Sequence, residues 1–285
     1  MLAAIAPRPI AFASTVDRQG NPNLAPFSFF NAFGSNPPLV VFSPARRVRD
    51  NTNKHTLENI QETGEVVINV VTFAMVRQAS LASSEYPKGV NEFKKAGFTP
   101  VPSQLVRPFR VKESPVQMEC KVLEVKETGT EGGAANLILC EILLMHIDDA
   151  VLNEDKKIDA NKLDLVARMG GDLYCRASGA ALFHVAKPLR IPGIGIDQLP
   201  ESIRNSTVLT GNNLGQLGNV QALPDAKAVL EYGRKDFMKD LKTHYPNRDQ
   251  LRLKLHELAK ALLEKGEVDD AMLMLMSDQY LHDKK

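Results

Sequence analysis

Short runs of branched and aromatic residues, cut at intervals by Gly, Pro, Asn and Asp, fill the first half of this chain. Ile10–Val16 and Leu24–Phe30 flank Asp17–Asn21, where Gly20 and Asn21 suit the positive φ of a tight turn. That pattern predicts an antiparallel hairpin. Leu39–Ser43 follows Pro37-Pro38 as a compact buried strand. Thr56–Gly64 reads as a short helix, with Thr56 capping its first turn, Leu57 and Ile60 on one face, and Gly64 ending it. Glu65–Val71 is the next strand, Phe73–Ser84 a helix, and Tyr86–Val90 a loop. Val116–Glu127 and Asn136–Ile147 are longer strands around the Gly-rich Thr128–Ala135, a second hairpin. Strand dominance to about residue 150 favours a barrel or sandwich over a parallel sheet.

The pattern changes beyond Ala180. Residues 188–224 carry Pro, Gly and Asn without clear periodicity, yet hold too much Ile, Leu and Val for a free linker. They read as an ordered arm laid over a surface. Residues 225–285 turn helical: Leu251, Leu255, Leu258 and Leu262 form one stripe, and Met272, Leu275 and Met276 another. Gly266 between them predicts an antiparallel helix pair. Packing is the ordinary reading of both stripes, with a Met-rich cofactor box the alternative. The expected organisation is therefore a strand-rich domain over 1–180, an arm over 181–224 and a helical extension over 225–285.

Composition narrows the function classes. The 285 residues are 44% hydrophobic and 24% charged, with a net charge of +1. That balance argues against nucleic acid or an anionic membrane as main partner. The N-terminus lacks a signal-peptide pattern, and no window reaches the ~18–20 apolar residues of a membrane helix. Cys120, Cys140 and Cys175 lack CxxC spacing, which predicts reduced thiols and a cytoplasmic setting.

The richest chemistry lies in Ser43–Thr56, which holds Arg46, Arg47, Arg49 and Lys54, with hydroxyls at Ser43, Thr52 and Thr56. It feeds a helix N-terminus, where unpaired N–H groups attract phosphate. The helix dipole offers only ~0.3–1 kcal/mol, whereas a micromolar ligand needs about 8 kcal/mol. Charge-assisted hydrogen bonds of roughly 1.5–3 kcal/mol each must carry much of a phosphate end. From spacing alone a solvated basic loop beside a capped helix stands equally open. The six histidines never fall at metal-ligand spacing, and no serine sits in a GxSxG elbow. Pro192–Gly195 reads as a turn, since no strand precedes it, no helix follows and the third glycine of a dinucleotide loop is missing. No side-chain pair is a catalytic candidate, so an enzyme built on this chain would borrow its reactive atom from a cofactor.

The segment PRPIAFASTVDRQGNPNLAPFSFFNAFGSNPPLVVFS resembles the flavin reductase-like family of FMN-binding split-barrel proteins, which includes flavoredoxin. The likeness continues through KHTLENIQETGEVVINVV, EFKKAGFTPVPS, RVKESPVQMECKVLEV, HIDDAVL and LDLVARMGGDLYCR, over roughly residues 7–176. The resemblance implies a mainly β fold, a split Greek-key barrel with inserted helices, and a homodimer binding FMN at its interface. It implies ring or ribityl contacts at Ser28, Asn31 and Ala32. Lys54 and Thr56 match the family's phosphate motif, with Ser43 and Arg46 nearby, while His146 and Tyr174 match positions approaching from the far side of the pocket. His55 stands where relatives carry Asp. The chain also opens almost at the PRPIA block, which leads to the expectation of an altered barrel or dimer edge. The implied activity is an FMN-dependent oxidoreductase taking hydride from NADH or NADPH onto flavin N5. Electrons would pass to free flavin, oxygen or a partner such as a monooxygenase. A non-enzymatic electron carrier and a phosphate-ligand binding or assembly module remain the alternatives.

Overall fold

The computed structural model describes residues 1–188 and 191–280, and the chain divides into two units, Met1–Phe183 and His184–Lys285. The first opens with four strands, β1 (Ala11–Val16), β2 (Pro22–Phe27), β3 (Phe30–Ser35) and β4 (Pro38–Phe42). Helix α1 (His55–Thr63) and strand β5 (Glu65–Asn69) follow, then a 3-10 turn at Phe73–Met75 and helices α2 (Val76–Leu81) and α3 (Glu92–Ala96). Two short strands, β6 (Pro100–Val101) and β7 (Arg110–Val111), precede the long pair β8 (Val116–Glu127) and β9 (Asn136–Ile147). Helix α4 (Ala160–Leu163) and the hairpin β10 (Leu165–Gly170) and β11 (Leu173–Ala177) complete the unit.

Seven strands form one antiparallel sheet in the order β2-β1-β5-β8-β9-β4-β3. The first hairpin runs in register from Ala11 opposite Phe27 to Val16 opposite Pro22. Its turn is tied by Asp17, whose carboxylate accepts from the Asn21 amide and side chain at 2.8 Å each. Every residue of β1 is buried because its two faces serve different cores. Ala11 and Ala13 join Val66, Ile68, Cys120, Ile138 and α1's Leu57 and Ile60 on one side. Phe12 joins Met75, Ala79, Phe93 and Phe98 on the other, meeting the Phe98 ring edge-on at 5.1 Å.

Two expectations are corrected here. The run Leu24–Phe30 ends as a strand at Phe27, and a further strand, β3, begins at Phe30. No hydrophobic pattern marks β3, because nearly all of it is exposed and it is held by pairing with β4. The expected barrel is not closed: β2 and β3 are the free edges of the sheet. They are consecutive in sequence, linked only by Ser28 and Phe29, a connection that spans roughly 10 Å at full stretch. The sheet must therefore curl until its edges approach, without a ladder between them.

The second hairpin, β8 with β9, has the bounds the sequence pattern predicts, with bulges between Glu119 and Cys120 and between Val122 and Glu124. Gly64 ends α1 at φ 69°, its amide donating to Ile60 O. The helix expected over Phe73–Ser84 is a 3-10 turn followed by only six α-helical residues. It stops where Ser83 Oγ donates to Ser80 O at 2.6 Å, a hydroxyl competing with the helical ladder.

The second unit holds α5 (Glu201–Arg204), α6 (Gly211–Gly218), α7 (Ala226–Gly233), α8 (Asp236–His244), α9 (Arg248–Glu264) and α10 (Val268–Tyr280). Residues 181–224 are not a separate arm beside a helical tail: Leu199, Ile203, Leu209 and Leu217 share one core with Val229, Met238, Leu255, Leu263 and Leu275. A capping box between Thr210 and Asn213 starts α6 where hydrophobic spacing gives no signal. Pro192–Gly195 is a close backbone approach, with Ile194 N and Gly195 N donating to Val220 O and Gly218 O. A Cβ at Gly193 would lie 2.5 Å from Gly218 O. The α9 stripe turns through Leu251, Leu255, Ala259 and Leu263, so Leu258 and Leu262 are only partly buried. Among the described residues no helix is long and apolar enough to cross a membrane.

Candidate functional site

Two neighbouring arginines on the loop after β4 both donate within that loop, but only Arg47 also faces a carboxylate from outside it. Arg46 is filled by its own loop: Nε donates to Asn51 Oδ1 at 2.7 Å, Nη1 to Asn53 Oδ1 at 2.8 Å and Nη2 to Asn51 O at 2.6 Å. Its backbone is clasped by the β8–β9 turn through Ala134 O and the Gly133 amide. Arg46 therefore builds the loop. Ser43 does the same at its start, where its buried Oγ accepts from the Asn136 amide at 3.1 Å.

Arg47 donates to Thr52 Oγ1 and Asn53 O through Nη1, and its Nε faces Glu85 Oε1 at 3.5 Å. Arg49 Nη2 lies 2.9 Å from Glu85 Oε2, and Lys54 Nζ lies 3.8 Å from Glu85 Oε1. Three cations thus converge on one carboxylate. Burial, and then the adjacent Arg47 charge, holds the Lys54 ammonium below its ordinary pKa. Burial likewise lowers the His55 imidazole.

This cluster adjoins the start of α1. Lys54, extended, is the N-cap residue and no side chain caps the helix, so the expected Thr56 cap is corrected. Thr56 lies two residues past the N-cap and its hydroxyl turns to the core, donating to Asn23 Oδ1 at 2.7 Å. Asn23 Nδ2 in turn donates to Glu92 Oε1 at 3.0 Å, and Glu92 Oε2 accepts the Leu24 amide. Burial raises the Glu92 carboxyl above its usual range. With its one proton committed to Asn23, Thr56 offers an anion its backbone amide and no hydroxyl hydrogen. The Leu57 amide already donates to Lys54 O, but the His55 and Thr56 amides have no partner within the helix, so they and the Arg47, Arg49 and Lys54 heads face a common demand for negative charge.

Ser28 and Tyr174 meet in one cleft with Ile10, Val76, Ser80, Ser83 and Arg168. The Tyr174 hydroxyl accepts from Arg168 Nη1 at 2.8 Å, and that guanidinium lies 4.8 Å from the ring centroid. A second, more apolar cleft shares Val76, Ser80 and Tyr174 and adds Phe73, Leu173 and Arg176. Asn31 and Ala32 lie exposed on edge strand β3, with Asn31 Oδ1 accepting the Ala32 amide at 2.8 Å. His146 is not among the residues lining either cleft. Its Nε2 lies 2.6 Å from Oε1 of the fully buried Glu119, which also accepts the amides of Gln104 and Leu105. Burial pushes the Glu119 carboxyl up, but those amides and His146 outweigh it and hold the group below its usual value. Among the described residues no group of three His, Cys, Asp or Glu could hold a metal ion.

Residues 3–163, more than half of the chain, match the flavin reductase like domain. The chain belongs to the flavin reductase-like family. The match falls inside the unit Met1–Phe183 and includes the loop after β4, α1 and β3. An uncharacterised protein of Aquifex aeolicus is 36% identical over 179 residues, covering 63% of this chain and 89% of its own length. Nitrilotriacetate monooxygenase component B from Bacillus cereus is similar in structure, with a TM-score of 0.59 and 28% identity over 64% of this chain and 89% of its own. Flavoredoxin of Desulfovibrio vulgaris gives 0.54 and 25% over 65% and 92%. Within this flavin reductase-like domain, sequence spacing passed over Glu85, Glu92, Asn23 and Arg168. The partners of Glu85, Glu92 and Asn23 lie more than 30 residues away in sequence, and the Arg168–Tyr174 pair is local but spans a hairpin turn.

Proposed function

We propose that this chain binds FMN at the rim formed by the loop after β4 and the start of α1, and works as an NAD(P)H-dependent flavin reductase. The observation that carries the reading is the convergence of Arg47, Arg49 and Lys54 beside a helix N-terminus that no side chain caps, inside a flavin reductase-like domain. Those residues fit the phosphate end of a flavin mononucleotide, since the Glu85 carboxylate already stands among all three. The bound flavin would supply the two-electron chemistry that no side-chain pair supplies here.

The protein's own part is positioning. Arg46, Asn51 and Asn53 hold the loop in shape, while Asn23 and Glu92 pin Thr56 and so fix where the α1 amides aim. Ser28 lies on the β2–β3 link and Asn31 and Ala32 on edge strand β3, where the ring and ribityl chain would run. Tyr174, stacked on Arg168, lines the cleft that would shelter the nicotinamide side from water. Ser43 and His146 act one step back, by anchoring the loop and by holding Glu119. The reading takes the chain as a homodimer. Leu143, Met145 and Ile147 alternate along the outward face of β9 and stay exposed, an apolar face that a second copy would cover. Electrons would leave to free flavin, oxygen or a monooxygenase partner. The three unpaired cysteines suit a reducing, cytoplasmic setting.

The absorbance of freshly purified protein, followed by anaerobic titration with NADH and NADPH, tests this. Bleaching of a bound flavin and turnover with excess free FMN are the expected results. A bound flavin that neither nicotinamide reduces would leave only an electron carrier. A protein that stays colourless with added FMN would overturn the binding itself.

A further inference from the structure

Glu85 stands on the stretch between α2 and α3, outside any helix or strand, and reaches back to the loop after β4. Its carboxylate lies 2.9 Å from Arg49 Nη2, 3.5 Å from Arg47 Nε and 3.8 Å from Lys54 Nζ. Asp50 is differently placed: its Oδ1 takes the Thr52 amide and hydroxyl, and it meets only Arg49, at 3.5 Å. Among the described residues no backbone amide donates to Glu85, and its side chain remains 40% exposed. The surrounding bonds are local turns, from Tyr86 N to Ser84 O and from Val90 N to Pro87 O. Among the described residues these three cations are the polar partners of its carboxylate.

We propose that Glu85 is an internal anion that fills the cationic rim in the ligand-free chain and withdraws with residues 82–91 when a phosphate monoester enters. It thereby sets how strongly the chain prefers phosphorylated over unphosphorylated flavin. This rests on the reading of the rim as the phosphate end of the FMN site. The charges decide the order of replacement. Even with Asp50 beside Arg49, the three cations outnumber the two carboxylates and keep a positive surplus, whereas a phosphate monoester brings nearly two charges and three acceptor oxygens at neutral pH. Both anions cannot share the same heads, because like charges at contact distance repel. Glu85 is also the easier group to move, since an exposed ion pair is worth little and its carboxylate returns to water. A ligand without phosphate gives the cations no reason to release it.

The test measures FMN and riboflavin affinity side by side for the full chain, Glu85→Gln and Glu85→Asp, with hydrogen exchange over residues 82–91. E85Q is expected to bind FMN about tenfold more tightly, with riboflavin changed by less than about twofold, and E85D to follow the wild type. In the wild type FMN should speed exchange over 82–91, and in E85Q that exchange should be fast without ligand. Equal shifts for FMN and riboflavin, or exchange that ignores FMN, would remove the role of Glu85 and leave the rim reading intact. Failure of both wild type and E85Q to bind FMN would remove the rim reading, and this proposal with it.

Discussion

Glu85 and Glu119 are both carboxylates facing cationic groups, yet one is built in and the other is only placed. Glu119 is fully buried, accepts two backbone amides and lies 2.6 Å from His146, with Arg110 at 3.9 Å. Glu85 has cations and no amide, and stays in reach of water. The difference is one of over-determination. Removing any one partner leaves Glu119 where it is, so it belongs to the frame of the sheet and of the segment from Gln104 to Arg110. A stronger anion can replace Glu85, so its neighbourhood is fit for a ligand.

The largest expected effect lies on the buried side of this contrast. Glu119→Ala should lower stability by about 3–5 kcal/mol in urea unfolding, as loss of one partner of a buried pair does; a loss below about 1 kcal/mol would break the contrast. The sign of its pH dependence follows from its lowered pKa. Its contribution is full above the ordinary carboxylate range and disappears as pH falls through the depressed value. Glu92, raised by burial, runs the other way: its contribution is present below that range and fades as pH rises through its elevated value. The stabilities of the wild type and E119A should therefore differ most near neutral pH and converge as pH falls through the depressed value of Glu119.

On the exposed side, the double variant Arg47→Ala, Lys54→Ala should weaken FMN about 100-fold, two charge-assisted hydrogen bonds' worth, with riboflavin far less affected. Arg46→Ala should give the opposite profile. Three hydrogen bonds inside the loop disappear, stability drops by about 1–3 kcal/mol, and FMN and riboflavin weaken together as the loop loses shape. A phosphate-selective loss in R46A would show that the two arginines had been assigned the wrong way round. The smallest effect is expected for Thr56→Val. It leaves Asn23 Oδ1 unpaired at a cost of about 1 kcal/mol in stability, while the FMN-to-riboflavin ratio stays as it was, because the hydroxyl proton already belongs to Asn23.

Much of the frame was legible where burial alternates along a strand. β8 and β9 emerged with the bounds that their hydrophobic runs predict, and Gly64 marked the end of α1 through the left-handed turn it permits. β3 was hidden because its residues face outward and only backbone pairing holds it. The open sheet was equally hidden, since closure depends on whether β2 and β3 form a ladder and no side-chain pattern records that. Residues 181–224 were misjudged as an arm because helices of four to eight residues, rich in Gly and Asn, present too few turns to show a period. The candidate site was half legible. A cluster of cations before a helix announced itself, but Arg46 and Arg47 are adjacent and alike, and only the distant Glu85, facing Arg47, separates them. Thr56 had the right type and position for a cap, and a long-range bond to Asn23 turned it away.

The central claim is that the rim recognises a phosphate carried by a flavin. Calorimetric titration of the ligand-stripped chain with FMN and riboflavin, at low ionic strength and one pH, addresses it most directly. FMN bound at least about tenfold more tightly than riboflavin, with the gap shrinking as salt rises, is the predicted result. Equal affinities, or heat from neither ligand, would contradict it.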